Sequence, residues 1–262
     1  MPELPDVEVF RRYLDSTALG HEIKDVQIRS EGLIKDVTPQ KLKKSLSDRT
    51  LEESRRHGKY CFVRLDSKDW LVMHFGMTGF FHYFKSGEQE PDHSGVLLHL
   101  ENGHTLAYVS QRKLGRIGLV QDMREYIRER SLGPDALEID KDSFIKILSR
   151  SGSMIKSALM RQENIAGIGN VYSDEILFQA GIHPKTQVKN LDQKTLSSLH
   201  QTTRRVLETA INKSADPSRL PSEFIIPRRG AENNCPKCSG KLQKIKVSGR
   251  TGWYCPGCQK EQ

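Results

Sequence analysis

The 262-residue chain has no apolar run approaching the roughly 20 residues of a membrane span, and its first residues lack the apolar core of a signal peptide. These absences predict an intracellular protein, cytoplasmic rather than secreted. Cysteine is scarce: there are five, of which four fall in the last 28 residues while Cys61 stands alone. That distribution argues against a disulfide framework and for a metal site in a reducing compartment. There is also no acidic excess. The formal charge is +8, and residues 131–262 hold 20 Lys and Arg against 13 Asp and Glu, a net of +7 that leaves +1 for residues 1–130. A basic half most simply faces nucleic acid, although a modest lysine excess also fits a solvated surface.

The four late cysteines, Cys235-Pro-Lys-Cys238 and Cys255-Pro-Gly-Cys258, are separated by 16 residues. This spacing suits one tetrahedral zinc, and four thiolates leave no position for water, so the metal is expected to be structural. The intervening Lys241–Tyr254 segment reads as a hairpin too small to hold itself together, which zinc stabilises by about 10 to 16 kcal/mol in comparable modules. Its tip, Ser248-Gly249-Arg250-Thr251-Gly252, projects Arg250 among Lys241, Lys244 and Lys246, which makes Arg250 a candidate phosphate contact.

At the other end, Met1-Pro2-Glu3-Leu4-Pro5 suits a reactive terminus. Removal of Met1 ahead of a small residue would leave a free secondary amine, titrating near pH ~8 against ~10.4 for lysine, able to attack electrophilic carbon, with Glu3 as the adjacent acid. If Met1 stays, the nitrogen is an amide and Pro2 is simply a second residue. Asp6 is expected to cap a helix with Val7, Phe10 and Leu14 inward and Gly20 as its stop.

Short alternating segments follow, among them 59–65, 70–75, 96–100 and 106–109, with one helix opened by Thr38-Pro39 and a two-residue hairpin signal at Asn102-Gly103. They predict a β-sandwich, with Cys61 a buried, inert thiol in phase with Val63 and Leu65. Lys59, after Arg55-Arg56-His57-Gly58, could meet a phosphate or the reacting centre; taken alone it also fits an exposed hairpin lysine. Met77 in His74-Phe75-Gly76-Met77-Thr78-Gly79 fits either core or a wedge in a base stack. Gln111-Arg112-Lys113-Leu114-Gly115 could add a cation and a second wedge, or be solvated surface.

Leu132-Gly133-Pro134-Asp135 marks the expected domain boundary, after which helices resume: one opened by Asp142, one over 154–161 and a long one over about 191–213. Glu163 to Asn170 is a glycine-punctuated turn feeding a further helix. Glycines on both sides of Ile168 and the following helix N-terminus suit a phosphate, with Asn170 as donor and Lys156 as a nearby charge; a tight interhelical turn is the plainer alternative.

Five of these stretches resemble, in order, the formamidopyrimidine-DNA glycosylase and endonuclease VIII family of bifunctional repair enzymes: Pro2 to Glu8, His57-Gly58-Lys59-Tyr60, His74 to Gly79, Ala166 to Tyr172 and the four-cysteine finger. The resemblance implies an α+β multidomain fold: a catalytic β-sandwich over 1–131, a helix-two-turn-helix domain over 132–222 and a zinc finger over 223–262, with DNA held in the cleft between the halves. It implies that Pro2 attacks C1′ of the damaged nucleotide as a Schiff base forms, that Glu3 protonates the sugar ring oxygen, and that Lys59 and Arg250 complete the catalytic set at the phosphates. His74, His93, Lys156 and Asn170 would bind DNA, while Met77, Arg112 and Leu114 fill the space of the flipped base. β- and δ-elimination then nick the strand, with one structural Zn2+ and no cofactor in the chemistry. The partner would be double-stranded DNA carrying oxidised bases or abasic sites, bound by a monomer.

Two departures bear on lesion choice. Leu114 stands where many formamidopyrimidine-type members have phenylalanine, and the segment before Cys235 is shorter than in members that cap 8-oxoguanine there. Formamidopyrimidines, oxidised pyrimidines and abasic sites are therefore the expected substrates, the alternative within the class being an 8-oxoguanine-preferring glycosylase. From another class, a non-catalytic zinc-finger protein binding DNA or RNA, with Pro2 inert, also fits the basic half.

Overall fold

The computed structural model describes residues 1–229 and 233–260. Two compact units emerge, Met1–Pro2 with Asp6–Arg130 and Glu3–Pro5 with Ser131–Gln262. Among the described residues no helix is long and apolar enough to cross a membrane.

Helix α1 (Leu4–Thr17), part of the first unit from Asp6 onward, buries Val7 and Leu14 and packs Phe10 beside them. The helix starts two residues before the expected cap, placing Asp6 inside its first turn, where a carboxylate suits the positive end of the dipole. Eight strands follow: β1 (Glu22–Ile28), β2 (Arg49–His57), β3 (Tyr60–Leu65), β4 (Trp70–His74), β5 (Gly79–Lys85), β6 (Ser94–Leu100), β7 (His104–Ser110) and β8 (Arg116–Val120). Their order is β5-β7-β6-β1-β2-β3-β4-β8. Only Glu22↔Thr50 and Ile23↔Arg49 join β1 to β2, so the sheet is two four-stranded halves with a short hinge. Inward residues of both, such as Val26, Leu98 and Leu106 from one and Val63, Leu71 and Ile117 from the other, form one core, the arrangement of a sandwich. Cys61 lies wholly within that core, and burial pushes its thiol up to about 12.

The β6–β7 turn differs from the expected two-residue loop. It has three residues, Glu101-Asn102-Gly103, with Gly103 at φ +75 and Asn102 Oδ1 accepting the His104 N–H; the left-handed residue follows the bend, as three-residue hairpins require. Helices α2 (Pro39–Leu46), capped by Thr38, and α3 (Met123–Glu129), capped by Asp122, complete the unit.

The second unit is helical: α4 (Lys141–Ser149), α5 (Ile155–Met160), α6 (Asn170–Ala180) and α7 (Gln193–Asn212). The cap of α4 is Asp140, which accepts the Ser143 N–H; Asp142, the expected opener, lies in the first turn. Phe144 and Leu148 of α4, Ile176 and Leu177 of α6 and Leu199 and Val206 of α7 share one core. Helix α6 is buried all round from Tyr172 to Phe178, including Ser173, Asp174 and Glu175, so its polar groups need internal partners. Glu175 receives the Ile225 and Ile226 N–H groups at 2.9 Å each, yet burial outweighs these bonds and raises its carboxyl to about 7. The finger is the hairpin β9 (Gln243–Val247) and β10 (Arg250–Tyr254). Residues 230–232, part of the segment read as short, lie outside the described residues.

Candidate functional site

Glu3 belongs to the second unit. Its side chain is 1% exposed and caps α6: Oε2 accepts the Gly169 N–H at 2.8 Å and the Tyr172 N–H at 3.1 Å, and Oε1 accepts the Val171 N–H at 2.8 Å. Glycine is needed for this approach, since a Cβ at Gly169 would overlap the Glu3 carboxylate. Gly167, at φ +114, lies against Leu4 and its carbonyl accepts the Leu4 N–H at 3.1 Å. The turn thus fixes the residues directly after Pro2. This corrects the expectation that the helix N-terminus receives a phosphate: the donors at Gly169, Val171 and Tyr172 are occupied by an internal carboxylate, which meets the same need as an external anion.

In the first unit, register assembles a polar group at one end of three strands. Tyr60 pairs with His74, and His74 with Arg116, while Lys59 occupies the two-residue turn into β3 beside Gly58 at φ +56. Lys59 is 7% exposed, which rules out the surface-lysine alternative. His74 Nδ1 accepts the Gly76 N–H at 3.2 Å, so its proton resides on Nε2. Burial, then the charges of Lys59 and Arg116, lower His74 to about 4, leaving a neutral N–H donor. Arg116 was not singled out from the sequence; strand alternation shows its phase but not its neighbour across the sheet.

The two wedge loops meet. Gly76 lies against the backbone of Leu114 so closely that a Cβ would overlap it, and the Arg112 N–H donates to Thr78 Oγ1 at 3.1 Å. The Tyr108 hydroxyl donates to the His74 carbonyl at 2.9 Å and lies where a Cβ on Gly115 would fall. These contacts hold Met77, 40% exposed, and Leu114, 54% exposed, outward beside exposed Arg112. Large apolar side chains on adjoining loops suit insertion into a base stack. His93, exposed at φ +65 ahead of β6, forms no part of that pair of loops.

Lys156 departs from expectation. It is wholly buried, with Nζ 2.5 Å from Asp174 Oδ1 and donating to Ser173 Oγ at 2.8 Å and the Asn170 carbonyl at 3.2 Å. Burial lowers its pKa against the pull of Asp174. A cation enclosed this way cannot reach a phosphate; it balances a buried carboxylate. Asn170 is half-buried, and its Nδ2 donates to the Thr251 carbonyl at 2.9 Å, so one amide hydrogen holds the finger rather than facing outward. Arg250 is exposed at the first position of β10.

Cys235, Cys238, Cys255 and Cys258 place their Sγ atoms within 4.8 Å of one another, with Cys235–Cys258 at 3.7 Å and Cys238–Cys255 at 3.5 Å. A tetrahedron of Zn–S bonds near 2.3 Å has edges of about 3.8 Å, so the donors fit one structural zinc.

Three family models match the chain: the formamidopyrimidine-DNA glycosylase N-terminal domain over residues 1–117, the H2TH domain of the same enzymes over 132–222, and the zinc finger found in FPG and IleRS over 234–260. The formamidopyrimidine-DNA glycosylase of Streptococcus pneumoniae serotype 4 is 33% identical over 276 residues, covering 99% of each chain. That of Bacillus subtilis is 30% identical over 279 residues, covering 100% of each. The structure of Lactococcus lactis Fpg in complex with abasic-site DNA matches with a TM-score of 0.89 at 27% identity, covering 99% of this chain and 100% of that one. The same protein in complex with DNA containing Fapy-dG matches with a TM-score of 0.88 at 27% identity and the same coverage.

Proposed function

This chain belongs to the formamidopyrimidine-DNA glycosylase family, and from that membership we propose that Pro2, once freed from Met1, is the nucleophile with which it excises damaged bases and nicks the strand. It is a base-excision repair glycosylase and DNA lyase with one structural zinc. It acts as a monomer on double-stranded DNA carrying oxidised bases or abasic sites, in the cytoplasm at the nucleoid.

The Pro2 nitrogen attacks C1′ with its lone pair and the bond from C1′ to the base breaks. Glu3 takes up the proton shed by the Pro2 nitrogen and delivers it to the ring oxygen, the sugar opens, and an iminium links C1′ to Pro2, while the departing base takes a proton from water. The iminium acidifies the C2′ hydrogens, so loss of a proton there expels the 3′ phosphate by β-elimination; δ-elimination then releases the 5′ phosphate. Lys59, neutral His74 through Nε2–H and His93 contact phosphates near the lesion, while Asn170 and Arg250 grip the flanking backbone. Met77, Leu114 and Arg112 occupy the vacated stack. Leu114 is smaller and more flexible than a phenylalanine there, which favours formamidopyrimidines, oxidised pyrimidines and abasic sites over 8-oxoguanine.

The observation that carries this reading is the Glu3 carboxylate held by three backbone N–H groups, directly after Pro2. The test is borohydride trapping of Met-processed protein on a duplex with one abasic site, beside Pro2→Gly and Glu3→Gln. A covalent adduct mapping to Pro2 supports the mechanism. No adduct from protein with a confirmed free Pro2 would reject it. The lesion preference fails if 8-oxoguanine opposite cytosine is excised as fast as the formamidopyrimidine.

A further inference from the structure

Asp174 is wholly buried in the second unit and binds three groups. Its Oδ1 faces Lys156 Nζ at 2.5 Å, both side chains being 0% exposed, and its Oδ2 receives Arg229 Nη1 and the backbone N–H of Trp253, the latter at 2.9 Å. Gly252 comes so close that a Cβ there would overlap Oδ1. Two side bonds run parallel to this contact, Asn170 Nδ2 to the Thr251 carbonyl at 2.9 Å and Ser157 Oγ to Ser248 Oγ at 2.7 Å.

Asp174 lies one helical turn after Asn170 on α6, and its finger contacts, Gly252 and Trp253, lie two and three residues after Arg250 on β10. The finger's small core consists of Phe178, Ile225, Leu242 and two of the zinc cysteines, with Trp253 against it. Such a core holds the hairpin down, but apolar packing is non-directional. A hydrogen bond to a strand amide and a glycine contact on the same carboxylate fix where the strand begins. Stability alone does not require the charges, since an apolar pair of similar volume often serves as well as a buried ion pair. What an apolar pair cannot supply is an acceptor for the Trp253 N–H.

We propose that Asp174 is a positioning residue for Arg250: through β10 it sets where the exposed guanidinium meets the DNA backbone, without touching DNA itself. The proposal rests on the reading of Arg250 as a backbone contact.

The experiment uses the full zinc-loaded protein and a duplex carrying one uncleavable tetrahydrofuran abasic analogue, with Kd measured across a series of salt concentrations. Each phosphate contact contributes about 0.9 to the slope of log K against log salt. Arg250→Ala is expected to lower the slope by about that amount. Asp174→Asn should lower it equally, and the double variant no further, with zinc content unchanged. A merely structural role would alter affinity and melting while leaving the slope of the folded fraction intact. Gly252→Ala keeps both charges and displaces β10 from the carboxylate; it should reproduce the slope change, and it decides the matter should Asp174→Asn not fold. A wild-type slope in both Asp174→Asn and Gly252→Ala, or losses that add in the double variant, would overturn the proposal. A wild-type slope in Arg250→Ala would overturn it together with the Arg250 assignment. The Pro2 adduct is read separately, so failure of the chemistry and failure of the positioning are distinguishable.

Discussion

Glu3 Oε2 accepts the Gly169 N–H at 2.8 Å, joining the residue after Pro2 to a turn 166 positions away in sequence. The glycine has ordinary extended backbone, φ −125 and ψ −157, so only space forbids a side chain there. Gly169→Ala is therefore expected to fold while moving Glu3. A displacement near 1 Å costs on the order of a hundredfold in rate, which single-turnover trapping on an abasic duplex would register, with circular dichroism as the fold control. Trapping at the wild-type rate would show that Glu3 tolerates the shift.

Met77→Ala should separate insertion from stability. The side chain is 40% exposed, so its loss should change unfolding free energy by about 0.5 kcal/mol or less. Excision from a duplex should fall about tenfold, since extruding a base costs a few kcal/mol, while cleavage of a single-stranded abasic substrate should be unchanged. An equal fall on both substrates would assign Met77 another role. Leu114→Phe is expected to sharpen discrimination against the opposite base, measured by excision rates across the four pairings.

Acid stability follows from two groups in the first unit. His74 is lowered from 6.5 to about 4 by burial and by Lys59 and Arg116. Glu8 is lowered from 4.5 to about 2: burial opposes its charge, but hydrogen bonds from Arg11 and Arg12 and the charges of Arg11 and Arg56 prevail. In both cases the folded state binds the proton less tightly than the unfolded state. Stability is thus fully present above the unfolded value and lost as pH falls, between 6.5 and about 4 for His74 and between 4.5 and about 2 for Glu8. The His74 contribution is on the order of 3 kcal/mol, since a tenfold change in proton affinity is worth about 1.4 kcal/mol; that of Glu8, whose partners Arg11 and Arg12 reach solvent, is smaller. Urea unfolding of Trp253→Phe protein, followed by Trp70, should show both limbs, and His74→Gln should flatten the upper one.

Zinc removal should act locally. Chelation is expected to release one metal per chain, measured with a colorimetric zinc indicator, and to unfold β9 and β10. DNA affinity should fall at least tenfold through loss of Arg250, while the helical signal from α4 to α7 stays, because their core contains no zinc ligand. Cys255→Ser should behave alike. Undiminished affinity in the metal-free protein would exclude the finger from binding.

Several features were legible from the chain alone, and each is local. Two Cys-x-x-Cys pairs at suitable spacing specify four thiolates and a hairpin. Period-two alternation marked β3, β4, β6 and β7, whereas the glycines around Met77 left core and wedge both open, and its 40% exposure decides for the surface. Helix openings were less legible: Asp6 and Asp142 are capping types but lie in the first turn of their helices, because the chain enters at Leu4 and Asp140 caps first.

What only tertiary structure decided concerns partners. Lys156 and Asn170 carry the same donors in the sequence as in the fold, yet Lys156 is sealed against Asp174 and Asn170 holds Thr251, while the N-terminus of α6, open in sequence to any anion, is closed by Glu3. Arg116 meets His74 only through the β4–β8 register. Sequence periodicity fixes which face of an element a residue occupies, but a charge acts on whatever lies a few ångströms away. That neighbour is set by how remote segments pack, as Asp174 and Trp253, 79 residues apart, demonstrate.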